Sequence, residues 1–211
     1  MNLIILGAGG FAKEVACNIL DISKYITEYM NIVFVDDISD TKIITVKNYN
    51  YKVIKDWNFP NGFTQFVIGV GSPKAKKILV EKALKNNLIP YKTLIHPKAL
   101  VQDAKIGLGG VITAGVIITT SVTIGDYVIL NLNTTVGHDA IIEDYVTCNP
   151  LTSISGNVIL KEGCFIGVGA TILEKKIVGS YSVVGAQSCV TKDVLDDTTV
   201  IGIPAKELKK L

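Results

Sequence analysis

The 211-residue chain is 48% hydrophobic and carries 21 Lys and Arg against 19 Asp and Glu. That is enough apolar content for one or two domains with sizeable cores, and the scattered, nearly balanced charge argues against a nucleic-acid partner while leaving a small anionic ligand open. Cys17, Cys148, Cys164 and Cys189 form no C-x-x-C pair, which argues against a zinc or redox motif and fits reduced thiols in a cytoplasmic protein with no metal.

The apolar start Met1-Asn2-Leu3-Ile4-Ile5-Leu6 has no basic leader and runs at once into Gly7, Gly9 and Gly10, so it reads as a first strand rather than a signal peptide. Phe11 to Ile22 reads as a helix, Ile32 to Val35 and Phe66 to Val70 as strands, and Pro73 to Asn87 as a second helix with Pro at its start. This alternation predicts a small parallel, Rossmann-like α/β domain over residues 1–92. Gly7-Ala8-Gly9-Gly10-Phe11-Ala12 satisfies G-x-G-x-x-A between a strand and a helix, where backbone amides can hold a phosphate, and Asp36 ends the second strand 24 residues beyond Ala12. So short a domain supplies one mononucleotide-binding half, which suits a nucleotide sugar better than NAD. A tight turn that merely needs small residues is the alternative.

From Leu94 the pattern changes. Every sixth residue through Leu100, Ile106, Ile112 and onward to Val190 is aliphatic, with Cys148 as the one small substitute. This is the signature of a parallel β-helix. In the left-handed form three hexads make one triangular coil, so residues 18 apart stack roughly 4.8 Å from one another. Residues 93–211 are thus expected to form a left-handed β-helix with a short C-terminal tail. The same period explains the uncharged run from Ile106 to Gly125, whose length alone would suggest a membrane span.

A β-helix is a scaffold, and its function has to come from a site. The chain has two histidines. His96, in Ile95-His96-Pro97, marks the start of the β-helix and reads best as a surface imidazole with no task, an alternative that stands for His138 too. His138 is third in its hexad, where the side chain can face outward, and imidazole is the usual general base near neutral pH. Eighteen residues further lies Gly156, which leaves room for a thioester beside the ring and exposes an amide able to stabilise an oxyanion. Asp139 could orient the imidazole or be a solvated turn residue; Asn131 and Asn149, also 18 apart, could serve the site or form an internal ladder. Cys148 falls at an inward position and reads as core.

Taken together, Gly7-Ala8-Gly9-Gly10, Phe34-Val35-Asp36-Asp37, Ile95-His96-Pro97, Val136-Gly137-His138-Asp139, Gly167-Val168-Gly169-Ala170, Val190-Thr191-Lys192-Asp193 and Gly202-Ile203-Pro204-Ala205-Lys206 make the whole chain resemble the sialic acid O-acetyltransferase and bacillosamine N-acetyltransferase family. The resemblance implies acetyl-CoA as co-substrate, a homotrimer and a cytoplasmic role in bacterial surface glycan biosynthesis, without membrane insertion. It places the general base on His138, its acidic neighbour on Asp139, the characteristic asparagine on Asn131 and the oxyanion amide on Gly156. It implies a coenzyme A groove between subunits lined by Gly156, Gly169, Ala170 and Ala186, with Lys192 and Pro204 near the nucleotide end. Gly7, Gly9, Gly10, Phe11, Asp36 and Asp37 would hold a nucleotide sugar, with uridine diphosphate as the expected carrier. Many members have His where this chain has Phe11 and Thr147, so the sugar pocket departs from the family more than the acetyl-transfer machinery does.

N-acetylation of a nucleotide-linked amino-deoxy sugar is therefore the leading expectation, with O-acetylation of a sialic acid or related hydroxyl as the alternative. A non-catalytic trimer that senses a nucleotide sugar is the reading from another class, and an NAD-dependent reductase would bind nicotinamide in the first domain. A γ-class carbonic anhydrase would need three histidines for its metal.

Overall fold

The computed structural model describes residues 2–24 and 31–208. The first part is a six-stranded sheet in the order β3-β4-β2-β1-β5-β6, made of β1 (Asn2–Leu6), β2 (Asn31–Val35), β3 (Ile43–Val46), β4 (Tyr49–Ile54), β5 (Gln65–Ile68) and β6 (Ile89–Pro90), with α1 (Gly10–Ser23) and α2 (Pro73–Lys85). β1 pairs in parallel with both β2 and β5, and its four-residue run Leu3–Leu6 is fully buried, as expected of a central parallel strand covered on both faces.

Two details differ from the sequence expectation. β5 stops at Ile68, after which Gly69 N–H makes the last bond of its ladder to Leu6 O at 2.8 Å. α2 stops at Lys85, with Asn86 as its C-cap and Asn87 left-handed at φ 58°. The antiparallel hairpin β3–β4 is additional. Its two turn residues, Lys47 and Asn48, both have positive φ (46° and 70°), the backbone of a tight primed turn, but Lys-Asn is a weak sequence signal for one.

From Leu94 the chain forms a left-handed parallel β-helix with three faces. Face I contains the strands beginning at Leu94, Val111, Ile129, Thr147, Phe165, Val183 and Thr199; face II those at Leu100, Ile117, Thr135, Ser153, Thr171 and Cys189; face III those at Ala104, Val122, Ile141, Ile159 and Ile177. The inward residues Ile118, Val136, Ile142, Cys148, Ile166 and Val184 are at most 1% exposed. From Gly109 to Gln187 every sixth residue has φ between 52° and 74°. Each corner thus turns through one left-handed residue, and most of these positions carry a side chain, accepting a conformation that L-residues disfavour.

The 18-residue register holds from Ala104 onward (Ala104 pairs with Val122, Thr135 with Ser153), but the first coil departs from the unbroken hexad series. Leu94 pairs with Val111 and Leu100 with Ile117, a spacing of 17. Leu100 therefore points out, 52% exposed, while Val101 packs on the interior, and the step from Val101 to Ile106 is one residue short. At the other end Val184 pairs with Val200, a spacing of 16, and Thr199–Ile201 closes the coil by pairing antiparallel with Lys206–Glu207.

The two parts share buried surface. Val111, Tyr127 and Ile129 belong to the core cluster of the sheet rather than to that of the β-helix interior, and Phe66 stacks on Tyr127, which stacks on Tyr145. Helix α2 carries the polar links. Lys76 is fully buried and its Nζ donates to Tyr127 O and Val146 O, both at 3.0 Å. Lys77 Nζ meets Glu162 Oε1 at 2.9 Å and Tyr181 Oη at 3.2 Å, and Thr147 Oγ1 donates to Gly71 O at 2.8 Å. α2 is thereby fixed along the corner between faces III and I. No helix among the described residues is long and apolar enough to cross a membrane.

Candidate active site

His138 lies at the corner between faces II and III, just after the strand Thr135–Val136. Corner amides bond to the neighbouring coil: Asp139 N–H to Thr120 O at 3.1 Å and Asn157 N–H to His138 O at 2.8 Å. The imidazole lies over Gly156, where a Cβ would sit 2.6 Å from Nε2 and 2.7 Å from Cε1. Any side chain at 156 would displace the ring. Gly137 contributes in the same way, since a Cβ there would lie 2.7 Å from Gly156 N. The Gly156 N–H has no hydrogen-bond acceptor among the described residues.

Asp139 is one of the left-handed corner residues, at φ 58°. That backbone swings its side chain to the same side as its neighbour's, and Oδ2 meets His138 Nδ1 at 2.7 Å. On an extended strand adjacent side chains would diverge; the corner cancels the divergence. With the carboxylate accepting the Nδ1 proton, Nε2 bears the lone pair and is free to accept a proton. Both side chains are more than half exposed, at 61% and 55%.

Asn131 occupies a different corner, between faces I and II. It is 9% exposed, and its Oδ1 accepts from Leu132 N–H at 2.8 Å. Asn149 Nδ2 donates to Ile166 O at 2.8 Å. Both amides serve the backbone of their own corner, and the structure does not bring either to His138. Cys148 is fully buried and burial pushes its thiol up to about 12, so it is packing and offers no nucleophile.

The expected coenzyme residues divide between two edges. Lys192 is exposed two coils beyond Gly156, at the His138 corner. Gly169 (φ 67°, beneath the Gln187 side chain) and the exposed Ala186 lie at the corner between faces I and II. Ala170 is fully buried in the interior, its N–H bonded to Gly167 O, so its side chain lines no surface groove; it occupies the small inward place of its hexad. Pro204 is exposed on the C-terminal segment.

In the sheet domain, a cavity of about 300 Å³ opens beyond the carboxyl ends of β1, β2 and β5, where strand order reverses and ligands of such sheets bind. Gly7, Val35, Asp36, Asp37, Ile38, Val70 and the α2 residues Ala75, Ile78, Leu79 and Lys82 line it. Gly7 is required at φ 105°, and a Cβ there would come within 2.6 Å of Val70. Gly9 caps α1 and Gly10 begins it, and neither lines the cavity; Phe11 is half-buried against the domain core.

Asp36 borders the cavity and also serves the backbone. Its Oδ2 accepts Ala8 N–H at 3.0 Å, and its Oδ1 accepts Ile38 N–H at 3.0 Å and Ser39 N–H at 2.9 Å. The carboxylate thus ties the glycine loop to the end of β2, although it also borders the cavity. Asp37 is paired with Lys82, which holds its carboxyl below the usual range, and Lys82 Nζ lies 4.8 Å over the Trp57 ring. The α2 contribution to this cavity has no motif in the sequence. Its residues recur at helical spacing like those of any amphipathic helix.

A left-handed β-helix with an outward His–Asp pair over a glycine, preceded by a glycine-loop α/β domain, defines a hexapeptide-repeat acyltransferase. The comparisons agree. The PglD N-terminal domain family matches residues 2–83. GDP-perosamine N-acetyltransferase of Escherichia coli O157:H7 is 32% identical over all of this chain and 98% of its own length. Among solved structures, a perosamine N-acetyltransferase mutant from Caulobacter crescentus, in complex with CoA and GDP-perosamine, superposes with TM-score 0.87 at 27% identity, covering 100% of this chain and 98% of that one. The acetyltransferase domain of PglB from Neisseria gonorrhoeae, in complex with acetyl coenzyme A, does so with TM-score 0.84 at 29% identity over 98% of both chains. The chain belongs to the family of sugar N-acetyltransferases with hexapeptide repeats, and it is an acetyltransferase.

Proposed function

We propose that the protein transfers an acetyl group from acetyl-CoA to the amino group of a nucleotide-linked amino-deoxy sugar, with residues 1–92 holding the nucleotide and residues 93–211 performing the transfer. The observation that carries the reading is the His138 imidazole, tied to Asp139 at 2.7 Å and seated on Gly156. Acetyl-CoA supplies the acetyl group as a thioester. The thioester would lie beside the imidazole, which Gly156 seats by carrying no side chain. His138 Nε2 takes the proton from the amine as its nitrogen bonds to the acetyl carbon, Gly156 N–H holds the developing oxyanion, and the imidazolium returns the proton to the departing thiolate. Asp139 keeps the Nδ1 proton in place throughout.

The relatives' names favour an amine over a sialic acid hydroxyl as acceptor, and guanosine over the uridine that the family resemblance implied. The cavity beside Asp37 and Lys82 is the place for the nucleoside. It opens along the flank that α2 fixes to the corner between faces III and I, whereas His138 stands on the corner opposite face I. One chain therefore separates the two halves of the reaction. The candidate coenzyme residues are likewise split between two corners, one of which exposes Leu132, Leu151 and Val168 as an apolar ridge. These features support a homotrimer in which the edge of one copy completes the groove of the next.

Incubating the purified protein with acetyl-CoA and a panel of GDP-, UDP- and dTDP-linked amino sugars, then weighing the products, tests the reading. A mass gain of one acetyl group on one class, lost in His138→Ala, supports it. Acetylation of sialic acid hydroxyls instead, or nucleotide binding without turnover, would replace it.

A further inference from the structure

The cavity proposed for the nucleoside is lined by residues between Gly7 and Lys82, whereas His138 and Gly156 belong to the β-helix. The distance and angle between the two are therefore set by the contacts that dock one part on the other. The polar ties made by α2 and the turn before it run from Gly71 to Lys77.

These ties are spread along the β-helix axis. The left-handed corner residues Tyr127, Tyr145, Gly163 and Tyr181 stand on four successive coils. Lys76 bonds carbonyls on the lower two, and the bond from Thr147 to Gly71 O falls at the same height. Lys77 reaches the upper two coils, at Glu162 and Tyr181. Without it these ties would hold α2 on the lower coils alone, which fixes its place but not its tilt.

The Lys77 amine has a built seat. Gly163 leaves a gap in the corner column, since a Cβ there would lie 2.5 Å from the Tyr181 ring. The ammonium stands 5.8 Å from the Tyr145 ring centroid and 5.6 Å from that of Tyr181, a cation between two aromatic faces. Glu162 closes the seat, accepting from Lys77 at 2.9 Å and from the Tyr181 hydroxyl at 2.6 Å, while Glu143 accepts the Glu162 amide N–H at 2.9 Å. So partly exposed an ion pair adds little to stability. Its leverage is on alignment, because a reacting group misplaced by about 1 Å can cost about 100-fold in rate.

Resting on the function proposed above, we infer that Lys77 is a positioning residue for acetyl transfer: by tying α2 to Glu162 and Tyr181 it fixes the tilt of the nucleoside-holding part on the β-helix, and with it the line along which the acceptor amine meets the thioester. Cutting the tie leaves the nucleoside cavity and the β-helix each whole. Alignment is lost while binding is kept.

The test takes the nucleotide amino sugar that wild type acetylates and measures kcat, both KM values, calorimetric affinity for the free nucleoside diphosphate, melting temperature and oligomeric state. The variants are Lys77→Met, Lys77→Arg and Tyr181→Phe. Lys77→Met is expected to lower kcat about 10- to 100-fold. Its KM for acetyl-CoA and its affinity for the nucleoside diphosphate should stay within about twofold of wild type, and its melting temperature within about 2 °C. Lys77→Arg keeps the charge and the aromatic contacts and is expected to recover most of kcat. Tyr181→Phe removes only the hydroxyl and should fall between the two. An unchanged kcat in Lys77→Met overturns the inference. So does a loss shared with nucleotide affinity or melting temperature, or one that Lys77→Arg fails to recover, since Lys77 would then serve the fold or a binding site. Should Lys77→Met not fold, Tyr181→Phe decides: a several-fold fall confined to kcat supports the inference, and an unchanged kcat overturns it. All of these outcomes leave the proposed reaction standing. A wild type that acetylates no nucleotide amino sugar removes that reaction, and this inference with it.

Discussion

At the scale of single residues, the site depends on two unusual allowances: a glycine under an imidazole and a left-handed aspartate beside it. Gly156→Ala places a methyl 2.6 Å from Nε2, closer than van der Waals contact allows, so the ring must swing off the recess. Gly156 itself is not left-handed, so alanine suits its backbone. The expected result is a fall in kcat of about 100-fold or more, with the melting temperature unchanged within about 2 °C. A large loss of stability with activity retained per folded molecule would contradict it. Asp139→Asn keeps the shape but can present an amide N–H to Nδ1, favouring the tautomer whose proton sits on Nε2, where the base is needed. Loss of an orienting carboxylate of this kind costs up to about 10⁴-fold in kcat; for so exposed a pair the expectation is about 10²-fold, with little change in acetyl-CoA KM. His138 and Gly156 are legible in the sequence because hexad register turns a spacing of 18 into a contact. The Asp139 contact is not, since adjacency along a strand argues against it and the left-handed corner is a conformational fact. The position of Asp36 after β2 is legible, but its bonds to three backbone amides are not, since they depend on how the glycine loop and the turn after β2 close on it.

At the scale of elements, α2 is the part whose role the sequence conceals. A lysine four residues into a Lys-rich helix reads as solvated surface, yet Lys76 is the one that turns inward, with its amine between two carbonyls. Burial pushes its pKa well down, and a neutral amine has two N–H groups, one for each carbonyl. The sign follows from proton counting. Between the depressed folded pKa and the unfolded value near 10.5, the unfolded chain binds one more proton than the folded one, so stability rises with pH through that window. Lys76→Met keeps the stem but leaves both carbonyls without that donor, an expected cost of about 1–3 kcal/mol, and it removes the slope. In chemical denaturation the wild type should therefore gain on the variant as pH rises from the depressed folded pKa toward 10.5, by up to about 1.4 kcal/mol per pH unit while the amine is neutral in the fold. A gap that stays constant with pH would mean that Lys76 keeps its charge in the folded state. The β-helix is legible from Ile106 onward, where the inward aliphatic place recurs every six residues as far as Val190. The first coil is not, because Leu100 and Val101 are both aliphatic, and composition cannot say which of two such neighbours faces in.

At the scale of the whole molecule, the geometry asks for more than one chain. The cavity proposed for the nucleoside lies on the flank of face I and His138 at the corner opposite it, with the β-helix between them, so under the proposed function a sugar held by one copy would meet the imidazole of another. This arrangement can be tested by complementation. His138→Ala keeps a working cavity, and Ala75→Trp fills the cavity while keeping a working imidazole. Each variant trimer alone is expected to be inactive, because every site lacks one half. When the two are co-expressed in equal amounts and assemble at random, a site is complete only where a copy carrying His138→Ala supplies the cavity and a copy with its His138 intact supplies the base. That pairing has about a one-in-four chance at each interface of a closed ring, so the mixture should recover about a quarter of wild-type kcat, with KM values for both substrates unchanged. Mixing the two purified homotrimers without exchange of subunits should recover nothing, which separates complementation from contamination. If co-expressed mixtures stay inactive while forming mixed trimers, each chain must reach its own His138, and the sheet domain would have to leave the corner where Lys76, Lys77 and Thr147 now hold it.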